Sequence, residues 1–312
     1  MAKNQARILR QAIDGVLLLD KPVGWSSNDA LIKVKRLLHA KKAGHTGTLD
    51  PFATGLLPLC FGEATKFAQD LLDADKSYEA VVHLGIKTTT GDTEGDVLEM
   101  RAVEVTQGQI DAALQQFTGK IDQIPPMYSA LKREGKPLYE YARAGITLDR
   151  AARRVLIHTL ECVQYNAPYL TLRVTCSKGT YIRVLGEDIG AALGCGAHLQ
   201  ALRRTQVGNL SLTGALTLAA IIEMPESLRN QSLAPVDALL SSLSAVFLLD
   251  PLSVRYLHGQ RLSLGKEGVA LPAEQGLIRV YRQSDGRLLG TGVMAEFGVL
   301  VPERLISTDP SC

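Results

Sequence analysis

Short apolar runs alternate along the chain with polar breaks, and the spacing of the apolar positions shifts between the period of a strand and that of a helix. VLLLD at 16–20, bounded by Gly15 and the Lys21-Pro22 pair, reads as a buried strand running into a turn. SSND at 26–29 then offers N-cap residues to a helix whose apolar positions 31, 34, 37 and 38 keep helical spacing. Its outer face carries Lys33, Lys35 and Arg36, with Lys41 and Lys42 just beyond. GEATKFAQDLL reads as a helix, SYEAVVHLG (77–85) and VLEMRAVEV as strands, and QIDAALQQF as a short helix. VLIHTLECVQY and YLTLRVTCS alternate as a hairpin-like strand pair, followed by the KGT turn and a helix from about Tyr181 to Leu193. The pattern is helical from about 209 to 250. From Pro251 onward it becomes short strands, with an Asp-Gly hairpin signal at 285–286 that suggests a separate small β domain.

Two stretches stand outside this pattern. PPMYSALKREGKPLYEYARAG (125–145) mixes prolines with alternating basic and tyrosine residues and reads as an inserted arm or long loop. AGHTGTLDPFATG (43–55) places a single carboxylate, Asp50, between Leu49 and Pro51 in a loop with glycines at 44, 47 and 55. An acid among apolar neighbours is costly unless it has a partner or a task. On its residues alone the stretch reads either as a tight turn with Asp50 as a capping residue or as a site.

Composition narrows the classes. The 312 residues suit about two domains, and 46% hydrophobic with 21% charged residues describes an ordinary soluble protein. The apolar runs are too short to span a bilayer, and MAKNQARILRQ has no apolar signal core, so a cytosolic, membrane-free protein is expected. The five cysteines (60, 162, 176, 195 and 312) form no CxxC pair and read as reduced thiols. Cys195 and His198 form a lone CxxH, short of a zinc site. GDTEGDVLE (91–99) misplaces the glycine of a calcium loop and reads as a solvated turn. Net charge is only +2, yet residues 1–66 hold ten Lys/Arg against five Asp/Glu, and residues 132–154 hold seven against three. Such segments suit a local polyanion footprint or plain solvated surface.

GHTGTLDPFATGLLP closely resembles the catalytic motif of TruB-type tRNA pseudouridine synthases, bacterial enzymes that modify uridine 55 of the T arm. The resemblance extends to GVLLLDKPVGWSSNDAL (15–31), GEATKFAQDLLDADKSYEA (62–80), IPPMYSALKREGKPLYEYARAG (124–145), CSKGTYIRVLGEDIG (176–190) and CGAHLQALRRTQVG (195–208), in the family's order. It implies an α+β fold: a catalytic domain with a mixed, mainly antiparallel sheet and surrounding helices, plus a small β-barrel-like PUA-type domain. The expected layout is an extension at 1–12, a catalytic domain at 13–250 with an RNA-binding arm at 126–154, and the PUA-like domain at 251–312.

The resemblance also implies roles. Asp50 would be the nucleophile or electrostatic stabiliser at the sugar, and Arg183 its pairing partner, lowering its pKa. Tyr78 would stack on the uracil and accept a proton, Tyr181 would line the pocket, and Leu202 would close its apolar wall; as plain sequence both tyrosines also read as strand-end packing residues. His45 would fill the stacking place of the flipped nucleotide, and Lys21, with Pro22, would support the floor among the substrate contacts. Lys41, Lys42, Lys132, Arg143, Arg154 and the Arg203-Arg204 pair would hold phosphates. The reaction implied takes no cofactor and no metal. The partner is the T arm of tRNA, with no membrane and no guide RNA, and the chain is expected to act as a monomer. Two rivals have their own signatures. An RNA-binding protein on a synthase scaffold would have lost Asp50 or Tyr78, and a glycoside hydrolase would need a second carboxylate, which the Asp50 loop lacks.

Overall fold

The computed structural model describes residues 10–272 and 275–307. Most of the expected 1–12 extension, and Cys312, lie outside them.

The sequence folds as α+β around a sheet of ten strands. Along its main path the order is Leu216–Thr217, Gly15–Lys21, Thr54–Phe61, Ala197–Val207, Lys76–Leu84, Tyr169–Cys176, Arg153–Asn166 and Gly119–Gln123. Neighbours run antiparallel except at two places: Leu216–Thr217 beside Gly15–Lys21, and Ala197–Val207 beside Thr54–Phe61. The Thr54–Phe61 strand is buried on both faces because its run LLPLCF is apolar throughout. Leu57 and Leu59 join one core with Leu17, Leu19, Val34 and Leu185. Leu56 and Cys60 join a second with Val16, Phe67 and Leu240 on the other side. Lys76–Leu84 shows a more regular alternation of buried and partly exposed positions.

The helix Ser27–Leu37 is capped by Ser26, whose side chain accepts from the amide of Asp29. The helix after the KGT turn spans Ile182–Ala192, and the 153–166/169–176 pair is a long antiparallel hairpin. Two expectations fare less well. GEATKFAQDLL is not one helix but a 3-10 turn, Gly62–Lys66, and a short helix, Ala68–Asp73. In VLEMRAVEV only Val97–Met100 is a strand, and it pairs with Ile86–Thr88 in a separate ribbon. The arm holds a small strand pair, Lys132–Arg133 with Lys136–Pro137, and the helix Leu138–Arg143.

A second sheet of five strands follows. It takes in Ala245–Leu248, upstream of Pro251, and then a helix, Asp250–Leu257, rather than strands alone. Its Gly276–Arg282 and Leu288–Ala295 strands are joined through the Asp285-Gly286 turn, where Gly286 takes a positive φ of 67°. This sheet is fastened to the main body by Arg304, paired with Asp70 at 3.0 Å, and by Lys66, which donates to the carbonyl of Leu305 at 2.9 Å. The Ser307 amide donates to Glu63 at 2.7 Å. No helix among the described residues is long and apolar enough to cross a membrane.

Candidate active site

The strand Ala43–His45 pairs with the end of Thr54–Phe61, so residues 46–53 form a loop over the sheet with Asp50 at its crest. Every carbonyl from Gly47 to Pro51 is held. Arg204 donates to those of Gly47 and Thr48, and Ser27 to that of Leu49. The Ala53 amide donates to that of Asp50, and the Gly24 amide and Lys21 ammonium to that of Pro51. A loop fixed at five successive positions presents its side chain with little freedom to wander, which is what a reacting group requires. Gly55 is indispensable here: its φ is +101°, and a Cβ would sit 2.2 Å from the Arg204 carbonyl on the neighbouring strand.

Arg183, on the first turn of Ile182–Ala192, is 4% exposed. Its Nε lies 3.0 Å from Asp50 Oδ2, and its Nη1 3.6 Å from Asp92 Oδ2. Nη1 also donates to the Thr90 carbonyl at 2.9 Å and Nη2 to that of Tyr128 at 2.6 Å. Asp92 corrects the reading of 91–99 as a solvated turn. It is 3% exposed, bonded by the Thr90 hydroxyl and the Glu94 amide, and it brings a second carboxylate to the site. Nothing local announces this, because the partner that makes the burial tolerable is Arg183, far along the chain.

Burial pushes the Asp50 carboxyl above its ordinary 3.8. Arg183 pulls it back and Asp92 pushes it further, and the net direction is up. Arg183 does lower the Asp50 carboxyl, as expected of the pair, but desolvation outweighs that pull. The carboxylate still reaches solvent, with its side chain 37% exposed.

Two cavities meet at Asp50. The inner, of about 240 Å³, is lined by Asp50, Tyr78, Tyr181, Leu202, Arg183 and Arg204. The outer, of about 570 Å³, is lined by His45, Asp92, Glu94, Tyr139 and Arg143, and shares Asp50 and Arg183. The inner one falls below the roughly 300 Å³ of ordinary small-molecule pockets and suits a single flat ring. Tyr78 stands on Lys76–Leu84, directly across from Val174 on one side and Arg204 on the other. Burial raises its phenol above the ordinary 10, with Arg204 pulling the other way. Tyr181 is pinned by Gln123, whose amide group bonds both its N–H and its carbonyl. Burial, and then Arg204, lower the His45 imidazole below its ordinary 6.5.

The fold thus brings Asp50, Tyr78, Tyr181, Arg183 and Leu202 together, with His45 in the adjoining cavity. Lys21 lies beneath the site. It is fully buried, its ammonium bonds the carbonyls of Pro22, Trp25 and Pro51, and burial lowers its pKa to about 8. Lys41, Lys42, Lys132, Arg143 and Arg154 are exposed, Arg143 over the Tyr139 ring and Arg154 paired with Asp122. Arg203 is engaged by both oxygens of Asp20, at 3.0 and 2.7 Å. Arg204 is the second correction: it holds no surface position for a phosphate but is 1% exposed, inside the site. Strand alternation is the signal that separates the two arginines, since neighbours on a strand point to opposite faces.

Residues 35–182 match the model of the TruB family pseudouridylate synthase N-terminal domain. Residues 183–241 match that of the tRNA pseudouridylate synthase B C-terminal domain, and 244–306 that of the pseudouridine synthase II TruB C-terminal region. A tRNA pseudouridine synthase B of Ralstonia pickettii (strain 12J) is 62% identical over 309 residues, 95% of each chain. That of Burkholderia mallei (strain ATCC 23344) is 62% identical over 304 residues, 97% of each. The chain belongs to the TruB family of pseudouridine synthases. TruB-like architecture extends to solved structures: a chain of a Cbf5–Nop10–Gar1 complex aligns with TM-score 0.72 and 28% identity, covering 93% of this chain and 84% of that one. A chain of an H/ACA ribonucleoprotein bound to a substrate RNA containing 2′-deoxyuridine gives the same TM-score at 26% identity, covering 95% and 86%.

Proposed function

We propose that this TruB-family enzyme isomerises uridine to pseudouridine at position 55 in the T loop of tRNA. The observation that carries the reading is the base-sized cavity with Asp50, Arg183 and Tyr78 on its wall. The reaction detaches uracil from C1′ at N1, turns it, and rejoins it through C5. Asp50 acts at the sugar, as nucleophile or as the charge that steadies an oxocarbenium-like centre. Arg183 keeps it ionised and aimed, while Asp92 fixes the far side of the guanidinium. Tyr78 stacks on the base and takes its C5 proton, and Tyr181 and Leu202 hold the detached ring during its turn. The uridine reaches this cavity by extrusion from the loop, with His45 filling the place it leaves. Lys21 acts from below, through the Pro51 carbonyl.

The residues from 13 up to the small sheet serve as the catalytic domain, 126–154 as an arm over the RNA, and the five-stranded sheet, which starts with Ala245–Leu248 rather than at 251, as a PUA-like RNA-binding domain. Lys41, Lys42, Lys132, Arg143 and Arg154 contact phosphates, with Arg203 beside them. The enzyme works in the cytoplasm as a monomer, with neither guide RNA nor cofactor.

The test is tritium release from a T-arm RNA labelled at uridine C5, with native protein beside Asp50→Asn. Release that vanishes in a variant still binding RNA supports the reaction and the role of Asp50. Binding without release by either protein leaves an RNA-binding protein on a synthase scaffold. Release that survives in Asp50→Asn removes the aspartate from the mechanism.

A further inference from the structure

Arg204 is among the largest side chains fully buried in the molecule. Its Nε donates to the Leu56 carbonyl at 2.8 Å, its Nη2 to that of Gly47 at 3.2 Å, and its Nη1 to that of Thr48 at 3.5 Å. All three partners are uncharged, and among the described residues no carboxylate forms an ion pair with it. A guanidinium buried without an anion is expensive, because no opposite charge offsets its desolvation. Its persistence beside a reactive loop therefore has to be explained by something other than packing.

The register supplies the explanation. Arg204 and Tyr78 are direct cross-strand partners in the antiparallel pair Ala197–Val207 and Lys76–Leu84, and both line the inner cavity. Opposed residues of such a pair share a face, with Cβ atoms about 5 Å apart. The one group facing this cation that can turn negative during turnover without permanent charge is thus the Tyr78 phenol.

We propose that Arg204 is a positioning residue with two targets: it holds the Asp50 loop by its carbonyls, and it stabilises the Tyr78 oxygen as the anion that removes a proton from the substrate base. The inference rests on the role of Tyr78 proposed above. Once the new C1′–C5 bond exists, C5 carries both the sugar and its original hydrogen. The phenol first gives its own proton to solvent, and the phenolate oxygen then takes the C5 hydrogen as a proton. The C5–H electron pair becomes the C5–C6 double bond while the C6–N1 π pair withdraws onto N1, which picks up a proton from solvent. The products are neutral pseudouracil and the restored phenol, so the charge on Tyr78 exists only between the two proton transfers. The other ionisable groups around the ring are Asp50 from the loop, Cys176 from the adjoining strand, and Lys76 on its own strand. Across the cavity stand Tyr181 and Arg183. Arg183 is occupied by Asp50 and Asp92, and Lys76, like Arg204, bonds only carbonyls; what singles out Arg204 is its place directly across from Tyr78, whose phenol it pulls down.

The experiment reads the Tyr78 titration by tyrosinate absorbance, as the difference between each protein and its Tyr78→Phe counterpart, in the native, Arg204→Gln and Arg204→Lys backgrounds. It is paired with pseudouridine formation as a function of pH. In Arg204→Gln the Tyr78 titration is expected to move up by about one pH unit or more, as for loss of an adjacent opposite charge. The rate should fall by at least about tenfold at neutral pH and recover part of the loss as pH rises. Arg204→Lys keeps the charge and loses the fork, so its titration stays near native while its rate drops by the same factor at every pH. An unmoved titration in Arg204→Gln, or a loss there that does not depend on pH, overturns the proposal. Should Arg204→Gln fail to fold, Arg204→Lys decides. One ammonium cannot serve both the loop carbonyls and the phenol, so native rate and native titration together overturn it. The absorbance needs no RNA: a chain that titrates as expected but makes no pseudouridine fails the proposed function instead.

Discussion

The hydroxyl of Ser27 donates to the carbonyl of Leu49 at 3.0 Å and accepts from the amide of the same residue at 2.8 Å. One side chain at the start of a helix thereby satisfies both backbone groups of the residue before the candidate nucleophile. Ser27→Ala leaves them buried and unpaired, a loss of about 1–3 kcal/mol. Urea unfolding should register that decrease, and single-turnover kinetics should show a larger drop in rate than in RNA affinity.

Arg183→Met removes the cation between two carboxylates. Asp92, itself 4% exposed at the side chain, is then a buried charge without its counter-ion, a cost of about 3–5 kcal/mol. With the guanidinium's downward pull gone, the Asp50 carboxyl rises further. Activity in the native protein should already fall off on the acid side above the ordinary 3.8, and in the variant that fall should begin at still higher pH. Rate profiles of the two proteins against pH check the direction.

Lys21 and Lys76 are both lowered by burial from 10.5 to about 8. Above pH 8 the folded chain sheds these protons while the unfolded chain keeps them, so stability should rise with pH. Cys60 and Cys176 act in the opposite sense: burial pushes them from 9.0 to about 12 and about 11, so the unfolded thiols ionise first. The gain is therefore confined to about pH 8 to 9. Urea midpoints across that interval should climb in the native protein and climb only about half as steeply in Lys21→Met, where Lys76 alone remains.

Gly55→Ala forces a side chain onto a positive φ and into the Arg204 backbone. The expected loss exceeds about 1 kcal/mol, and a thermal melt that matches the native protein would contradict the geometry.

Lys41 and Lys42 are exposed, whereas Arg203 is bound by Asp20. If the lysines meet phosphates, each Lys→Ala change should reduce the slope of log affinity against log salt by about one. Arg203→Ala should reduce it by less. Filter binding of T-arm RNA at several salt concentrations compares them.

The legible parts of this chain are those whose cause is local. Periodicity located the Gly15–Lys21 strand, the Ser27–Leu37 helix and the long hairpin, because each buries a regular face. The family resemblance, rather than any local pattern, implied the pairing of Asp50 with Arg183 and the places of Tyr78, Tyr181 and Leu202, which the fold gathers at one cavity. What escaped depends on distant partners. Asp92 looks like any acid in a turn until Arg183 arrives, and Arg204 looks like half of a basic pair until the sheet turns it inward. GEATKFAQDLL has helical composition, but it is interrupted at Phe67, at φ −104° and ψ 0°, which is buried in one cluster with Val16 and Leu240 and parts a 3-10 turn from a short helix.

The three bonds that join residues 63–70 to residues 304–307 have a mechanical meaning. The segment they grip begins where the Thr54–Phe61 strand ends and runs on to Leu72, whose side chain borders the same cavity as Asp50. The last strand of the small sheet is thus a latch on the back of the catalytic loop's own support. A chain cut short before Arg304 would keep every residue that touches the cavity and yet lose the fastening that holds one of its walls at a fixed height.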